Sequence, residues 1–210
     1  MEFYEVLERR RTVRDFRTDV EVSEEALGRI IGAAFKAPTN DHLRQLEFAV
    51  MRDPEDIARV LAPLEGNIEK FTQENVSALK GQMDADEYAM FLDAMPKQRR
   101  MLAQSRCLVL PFFRQQGAPL LLPKTQSSLN YFASAWCAVE NMLLAAAAEG
   151  LACAFHIPIE AEAEHVKRTA GAPEGYELAC LLAVGHPAPG IRLPKQKEIN
   201  PADRIHRGGW

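Results

Sequence analysis

The 210-residue chain lacks the features that define several large functional classes. Its four cysteines contain no CxxC pair, so a zinc site of standard ligand spacing is not expected, and the thiols are expected to be reduced and mostly buried. The N-terminal residues show no basic start followed by an apolar stretch. No stretch reaches the roughly 20 apolar residues that cross a bilayer. A cytoplasmic location without membrane contact is therefore the expectation.

The chain also lacks an excess of positive charge. Its formal net charge is −4, so it carries no global field for nucleic acid, and any basic function must be local. The apolar fraction of 47% is enough for a sizeable core, and the length is at the upper end for one domain. We therefore expect a single domain over residues 1–210 with no nucleic-acid partner.

Hydrophobic spacing predicts helices that alternate with strands, which is typical of an α+β or layered α/β domain. Ser23 followed by Glu24 and Glu25 is a typical helix start. The strongest helix prediction covers 127–149, because residues 133–148 are apolar on nearly every face and contain neither Gly nor Pro. Such a helix is expected in a core or in a subunit interface. Further helices are predicted from Phe3 to the arginines and after Asp53-Pro54, and strands at 48–51, 107–113, 151–157 and 177–184.

Two regions show little apolar periodicity. Residues 67–106 are polar and predict helices on the surface or over a pocket. The tail after Gly185 carries four prolines and is either an ordered arm or a loose end. Trp210 favours an arm that docks.

The clearest chemical signal is the run from Arg9 to Arg14, which places four guanidiniums and one hydroxyl in six residues. This combination suits a phosphate group, which needs charge and several converging donors. The residues alone leave two alternatives open, a solvated basic turn and a nucleic-acid contact. The second fits poorly, because the short patch Arg9–Arg17 offers few phosphate contacts.

Four segments, RRTVRDF at 10–16, APTNDHLRQLEF at 37–48, ENMLLAAAAEGLACAF at 140–155 and LLAVGHP at 181–187, resemble successive landmarks of the nitroreductase family. The resemblance implies a central, mainly antiparallel sheet flanked by helices, with FMN bound between the two chains of a homodimer. It also implies that 67–106 is a variable helical insert over the active site, and that 187–210 is an arm exchanged across the dimer.

The resemblance assigns the FMN phosphate and ribityl chain to Arg10, Thr12 and Arg14, with Arg11 as an additional charge. Thr12 stands where the family more often has Ser, and it keeps the hydroxyl. Lys195 and Lys197 resemble a late basic pair that closes on the same phosphate. Their alternate spacing on an extended chain puts both side chains on one face. A solubilising Lys-rich arm is the alternative.

The resemblance also implies contacts to the flavin ring. Asn67 matches a position that presents an amide to the pyrimidine edge, and a helix-capping Asn is the alternative. Residues 153–158 correspond to the wall near flavin N5, so Cys153, Phe155, His156 and Ile157 are candidate contacts. Cys153 has no evident His or Asp partner, so buried packing is favoured over a nucleophilic role.

The loop 38–46 departs from the family pattern, with His42 in the usual Asn place and Arg44 in the usual Gln place. His42 and Arg44 are therefore candidates for binding an anionic substrate or the flavin edge. The alternative is that both are surface residues with structural roles. No catalytic acid, base or metal ligand is expected, because flavin N5 would be the reactive centre.

The implied activity is ping-pong hydride transfer from NADH or NADPH through FMN to a small organic acceptor such as a nitroaromatic or a quinone. The alternative function is a flavin-binding sensor or carrier without redox turnover. Tight FMN binding without oxidation of nicotinamide would distinguish the second from the first.

Overall fold

The structure, a computed structural model, describes residues 2–64, 78–79, 81–115 and 126–210. Helices and strands alternate along much of it. The helices are α1 (Phe3–Arg9), α2 (Glu24–Ala34), α3 (Pro54–Val60), α4 (Ala85–Ala94), α5 (Gln98–Gln104), α6 (Asn130–Ala148) and α7 (Glu160–Ala170). The strands are β1 (Leu46–Met51), β2 (Leu108–Arg114), β3 (Ala152–His156), β4 (Tyr176–Leu178) and β5 (Leu181–Gly185).

The start of α2 follows the predicted capping chemistry. Ser23 accepts a hydrogen bond from the backbone N–H of Ala26 at 3.2 Å, and Glu24 and Glu25 occupy the first turn. Asp53 caps α3 in the same way through the N–H of Glu55 at 2.8 Å. Both caps satisfy backbone donors that a helix end leaves without partners.

The five strands form one sheet in the order β1-β2-β5-β3, with β4 also paired to β2. Every pairing is antiparallel, which confirms the predicted α+β class and the antiparallel sheet.

The single strand predicted at 177–184 is wrong, since β4 and β5 are separated at Ala179 and Cys180. Pro111 lies opposite this break in the middle of β2 and has no N–H to donate. Its carbonyl still accepts from the N–H of Ala179 at 2.9 Å. The ladder is therefore interrupted where the proline cannot complete it.

Helices cover both faces of the sheet. Successive residues of β2 alternate between the two cores, with Val109 and Phe113 facing α2 and α6, and Leu108 and Leu110 facing the side of α3, α5 and α7. This arrangement explains why β2 is apolar from Leu108 to Phe113, as strands buried on both faces are.

The helix α6 packs in the first of these cores. Its length and apolar composition alone would allow it to cross a membrane, and it is the single helix of that kind in the described part of the chain. Its Val139 and Met142 are nevertheless fully buried against protein. Asn141 donates to the carbonyl of Ala33 in α2 at 3.1 Å, which satisfies the amide within the same chain.

Two elements differ from the sequence expectations. The helix α7 was not predicted, because it is rich in glutamate and buries only Glu162 and Val166. The end of the predicted surface insert belongs to the core, since Met101 and Leu102 of α5 are fully buried.

Candidate active site

The arginine run is held between two other segments of the chain. The N–H of Val13 donates to the carbonyl of Cys153 in β3 at 3.1 Å. On the other side, the N–H of Arg17 donates to His186 at 2.9 Å, and the N–H of Ala188 donates to Asp15 at 2.9 Å. Backbone hydrogen bonds therefore fix residues 10–17 beside β3 and the segment after β5.

Gly185 allows this close approach. A Cβ atom at this position would lie 2.8 Å from a ring carbon of Phe16 and 3.0 Å from the carbonyl oxygen of Ser105. Real Cβ atoms essentially never come within 3.0 Å of another heavy atom. The glycine of the LLAVGHP motif is thus required by the packing of the arginine-bearing segment.

A cavity of about 200 Å³ opens where this segment meets β3 and the end of α6. It brings together two groups of residues that were predicted separately, the arginine run and the start of the 153–158 segment. The lining residues are Arg9, Arg10, Arg11, Thr12, Val13, Leu143, Ala147, Gly150, Leu151, Ala152, Cys153, Phe155, Pro187 and Ile191. We call it the arginine cavity.

The arginines of the cavity differ in how they are held. Arg9 is largely exposed and pairs with Glu5 at 2.6 Å, as a solvated side chain would. Arg10 lies 3.7 Å from Glu140 of α6, too far for a strong ion pair. Arg11 donates to the carbonyl of Pro194, which ties the start of the C-terminal arm to the cavity rim. Of these three arginines, Arg10 is therefore the one whose guanidinium is most available to bind an anion.

Arg14 lies next to the arginine cavity, in a smaller cavity that shares the lining residues Thr12, Val13 and Ile191 with it. Its Nε atom is buried and has no hydrogen-bond partner among the described residues. Burial lowers the pKa of Arg14, although Asp93 and Asp15 oppose this shift. A buried donor without a partner is costly, so an anion at this position would satisfy it.

Sequence reasoning missed a network that supports this region. Asp15 accepts hydrogen bonds from Lys97 at 2.7 Å and from Arg100 at 2.8 Å. Lys97 also pairs with Asp93 at 2.8 Å. Although burial opposes the shift, these two carboxylates raise the pKa of Lys97. No local motif signals the contacts of Asp15, because Lys97 and Arg100 are 82 and 85 positions away from it along the chain.

The two lysines of the arm do not lie together on the arginines in this chain. Lys197 pairs with Asp84 and Glu87, at the start of α4, at 3.2 Å each. Hydrogen bonds to these two carboxylates raise the pKa of Lys197. Lys195 is exposed and does not line the arginine cavity. Their shared contact to a phosphate stays a prediction.

The predicted wall residues split between the two faces of β3. Cys153 and Phe155 line the arginine cavity, and the ring of Phe155 meets that of Trp136 at 5.3 Å. His156 points to the other side and bonds through Nε2 to Glu162, which is almost fully buried, at 2.9 Å. Ile157 is exposed. The histidine is therefore engaged in holding β3 to α7.

The cysteines behave as packing residues. Cys107, Cys153 and Cys180 are buried free thiols, whereas Cys137 is exposed. Burial raises the pKa of Cys153 strongly, which keeps the thiol protonated at neutral pH. This favours packing over a nucleophilic role. No cluster of three or more metal-ligating side chains occurs among the described residues.

The loop with His42 and Arg44 lies apart from the arginine cavity. Both side chains are exposed, and neither lines that cavity. Asp41, His42 and Arg44 have positive φ angles of 50°, 56° and 48°, a conformation that costs energy in residues other than glycine. The loop is pinned at Asn40, whose N–H donates to Ser134 at 2.9 Å. Asn67, the remaining predicted contact, lies outside the described residues.

Apolar surface is exposed on the C-terminal arm and on α6. Ile199, Ile205 and Trp210 of the arm are mostly or fully exposed, and the Trp210 ring stacks on His206, at 4.3 Å. On α6, Ala133, Cys137 and Ala148 are exposed along one side. We call this side of α6 the helix stripe.

Comparison with known proteins identifies the family. A sequence model described as the nitroreductase family matches residues 7–186. The chain is also 26% identical to iodotyrosine deiodinase 1 of Pongo abelii over 211 residues, which covers 97% of this chain and 67% of that protein.

Solved structures have the same fold. An iodotyrosine deiodinase bound to FMN and 3-iodo-L-tyrosine matches with a TM-score of 0.76 at 20% identity, over 100% of both chains. NfrA2 of B. megaterium matches with a TM-score of 0.72 at 20% identity, over 100% of this chain and 76% of that one. A putative NADH dehydrogenase/NAD(P)H nitroreductase of Parabacteroides distasonis gives 0.69 at 20% identity, over 99% and 98% of the two chains.

Proposed function

Because this chain belongs to the nitroreductase family of flavoprotein oxidoreductases, we propose that it binds FMN and transfers hydride from NADH or NADPH to a small organic acceptor. The observation that carries the proposal is the arginine cavity, in which a basic run predicted to bind phosphate meets the strand predicted to face the flavin ring. Neither feature alone would specify a cofactor.

The residues present fit the phosphate of FMN. Arg10 is only loosely paired, Thr12 offers a hydroxyl, and Arg14 has a buried donor without a partner in the described structure. Guanidiniums bind phosphate oxygens through directed, charge-assisted hydrogen bonds. Arg11 is tied to Pro194, so its role is to hold the arm near the phosphate.

The flavin ring, when bound, would supply the hydride chemistry itself. The role of β3 would be to orient it, with Cys153 and Phe155 forming an apolar wall. His156 would not contact the flavin directly. Its bond to Glu162 would hold the end of β3, and with it the apolar wall, in position. No residue of this chain is needed as a general acid or base for that step.

A homodimer would complete the site. Ligand pockets usually measure roughly 300–1,000 Å³. The arginine cavity, at about 200 Å³, is therefore small for FMN together with a second substrate. The helix stripe and the apolar residues of the arm are surfaces that a second chain could cover. The loop with His42 and Arg44 would then reach the cofactor of the partner.

The test is an absorption spectrum of the purified protein followed by anaerobic addition of NADH or NADPH. Oxidised flavin gives bands at about 370 and 450 nm, and we expect them to bleach with one of the two nicotinamides. Subsequent addition of a quinone or nitroaromatic should restore them. A colourless protein that cannot be reconstituted with FMN would refute the proposal, and bands that stay would refute hydride transfer from nicotinamide.

Reductive removal of halogen from an aromatic substrate is a second candidate. Two similarities favour it, the sequence match to iodotyrosine deiodinase 1 and the fold match to an iodotyrosine deiodinase structure. The reaction would replace carbon–iodine by carbon–hydrogen, consuming two electrons and a proton and releasing iodide. Reducing the flavin with dithionite and adding 3-iodotyrosine distinguishes the two. Iodide release would support this candidate, and unchanged iodotyrosine would exclude it.

A further inference from the structure

A second cavity, of about 260 Å³, lies where α3 and α5 approach the chain at Thr18. It shares no lining residue with the arginine cavity. Its walls combine apolar side chains with three arginines. The lining residues are Thr18, Arg52, Pro54, Ile57, Ala58, Leu61, Arg99, Ala103, Gln104 and Arg106.

Two of the three arginines have a buried nitrogen atom that makes no hydrogen bond within the described residues. These atoms are Nε of Arg99 and Nε of Arg106, whereas Nη2 of Arg52 lies 3.2 Å from Oε1 of Glu24. Most buried polar atoms in folded proteins have a partner, and leaving a donor unpaired is costly. Two such donors beside one cavity therefore favour an acceptor there.

The bonds that these arginines do make fix their positions. Arg52 donates through Nη1 to the carbonyl of Val22 at 2.8 Å. Arg106 donates through Nη1 to the carbonyl of Thr18 at 3.2 Å. Its backbone has a φ of 57°, in the left-handed region that residues with a Cβ seldom adopt. The guanidiniums of Arg52 and Arg106 are thus held in place before any ligand binds.

Nearby carboxylates neutralise this charge only weakly. Glu24 lies 3.2 Å from Arg52, and Glu21 lies 3.7 Å from Arg106, with side chains 81% and 72% exposed. Ion pairs at such exposed positions contribute little. Arg99 has no ion pair within the described structure. The cavity therefore keeps a positive potential that favours an anion.

The other walls specify the rest of the ligand. Ala58 of α3, which is exposed, and Ala103 of α5, which is partly exposed, present apolar surface next to the arginines. The volume of this cavity, about 260 Å³, lies below the roughly 300–1,000 Å³ of common ligand pockets. We propose that this cavity binds a small organic anion, with its carboxylate or phosphate on Arg52, Arg99 and Arg106 and its apolar body against Ala58 and Ala103.

Isothermal titration calorimetry on the full chain saturated with FMN tests this proposal, since added FMN keeps the phosphate of a probe from competing at the arginine cavity. Octanoate and phenyl phosphate are the probes for the two head groups, and octan-1-ol is the uncharged control. We expect saturable one-to-one binding of at least one of the anions, weakened by salt, and none of the alcohol. Absence of saturable binding by both anions would overturn the proposal.

Three variants locate the site. We expect Arg99→Gln and Arg106→Gln each to weaken binding about tenfold or more, as loss of a hydrogen bond to a charged group does. Arg106→Gly removes the guanidinium while suiting the positive φ, so it should fold at least as well and still lose binding. Arg59→Gln is the matched control, because Arg59 is exposed on α3 and pairs with Asp56 outside the cavity. Equal affinities in all these variants would place the anion elsewhere.

Discussion

Residues 10–17 and residues 39–45 are both expected to contact the same cofactor, yet the chain holds them in different ways. The first segment has backbone hydrogen bonds to β3 on one side and to residues 186–188 on the other. The second is an exposed loop with three strained backbone angles. On the proposed function, a single chain would build the phosphate end of the site, and the other end would depend on a second surface.

The largest expected effect comes from removing the phosphate end. We predict that Arg10→Ala with Arg14→Ala weakens FMN binding by about a hundredfold to ten-thousandfold, because a hydrogen bond to a charged group contributes roughly 1.5–3 kcal/mol. Fluorescence titration of the apoprotein measures this change.

Riboflavin, which lacks the phosphate, is the control ligand for that prediction. Its affinity should change little in the double variant, and Arg9→Ala should leave both affinities unchanged, since Arg9 is exposed and paired with Glu5. An equal loss of FMN and riboflavin affinity would mean that the two arginines support the fold and do not bind phosphate.

The next effect concerns the surface that a single chain leaves exposed. We predict that truncation after Lys195 weakens the homodimer by at least about a hundredfold, because burying each large apolar side chain contributes roughly 1.5–3 kcal/mol. The residues removed include Ile199, Ile205 and Trp210. Light scattering after size-exclusion chromatography measures the mass.

The truncated chain should stay folded. Within the described structure, residues 196–210 reach the rest of the chain by hydrogen bonds only through Lys197, on the exposed Asp84 and Glu87. Circular dichroism checks this point. A truncated protein that keeps the mass of the full-length assembly would show that the arm is not part of the interface.

A smaller effect tests how the first segment is held. We predict that Gly185→Ala lowers the free energy of unfolding by about 1–3 kcal/mol, as overpacking typically does. The new Cβ would press on Phe16 and on the backbone of Ser105. Urea denaturation measures the change.

Gly28→Ala is the matched control for that substitution. Gly28 lies within α2 and a Cβ there meets nothing within 4 Å, so the change should be neutral or stabilising by roughly 0.5–1 kcal/mol. If Gly185→Ala were as well tolerated, the arginine-bearing segment would be less tightly held than the structure indicates.

Local patterns were sufficient for much of the fold, and they indicated which segments line the arginine cavity. Ser23 identified the start of α2, and the apolar run at 133–148 identified α6. The break between β4 and β5 was missed because it depends on Pro111, a residue of a different strand. The helix α7 was missed because a single apolar residue, Val166, is buried along it.

The features that sequence reasoning did not reach depend on distant pairings. Lys197 pairs with Asp84 across 113 positions of the chain, and nothing near either residue predicts this contact. The cavity of Arg52, Arg99 and Arg106 assembles residues from three separate segments that form no motif. Periodicity reports only which face of an element is buried, so it cannot report which elements meet.

The smallest expected effect concerns the reactivity of the cysteine thiols, which differs between the buried and the exposed regions. The reactive form of cysteine is the thiolate. Burial raises the pKa of Cys107 to about 11 and that of Cys180 to about 12. At pH 8 both therefore stay protonated, and their reactivity should rise only as the pH approaches these values. The same holds for Cys153, whose pKa burial raises further.

The rate at which Cys137 is modified should then show whether the helix stripe is covered by a second chain, because Cys137 lies on this stripe and is exposed in the single chain. We predict that Ellman's reagent at pH 8 modifies it about tenfold more slowly in the full-length dimer than in the chain truncated after Lys195, since reaction requires the dissociated form. Cys137→Ser should abolish the fast phase in the truncated chain. Equal rates in the two proteins would mean that the stripe is not covered, and the second surface of the site would then have to lie elsewhere than on α6.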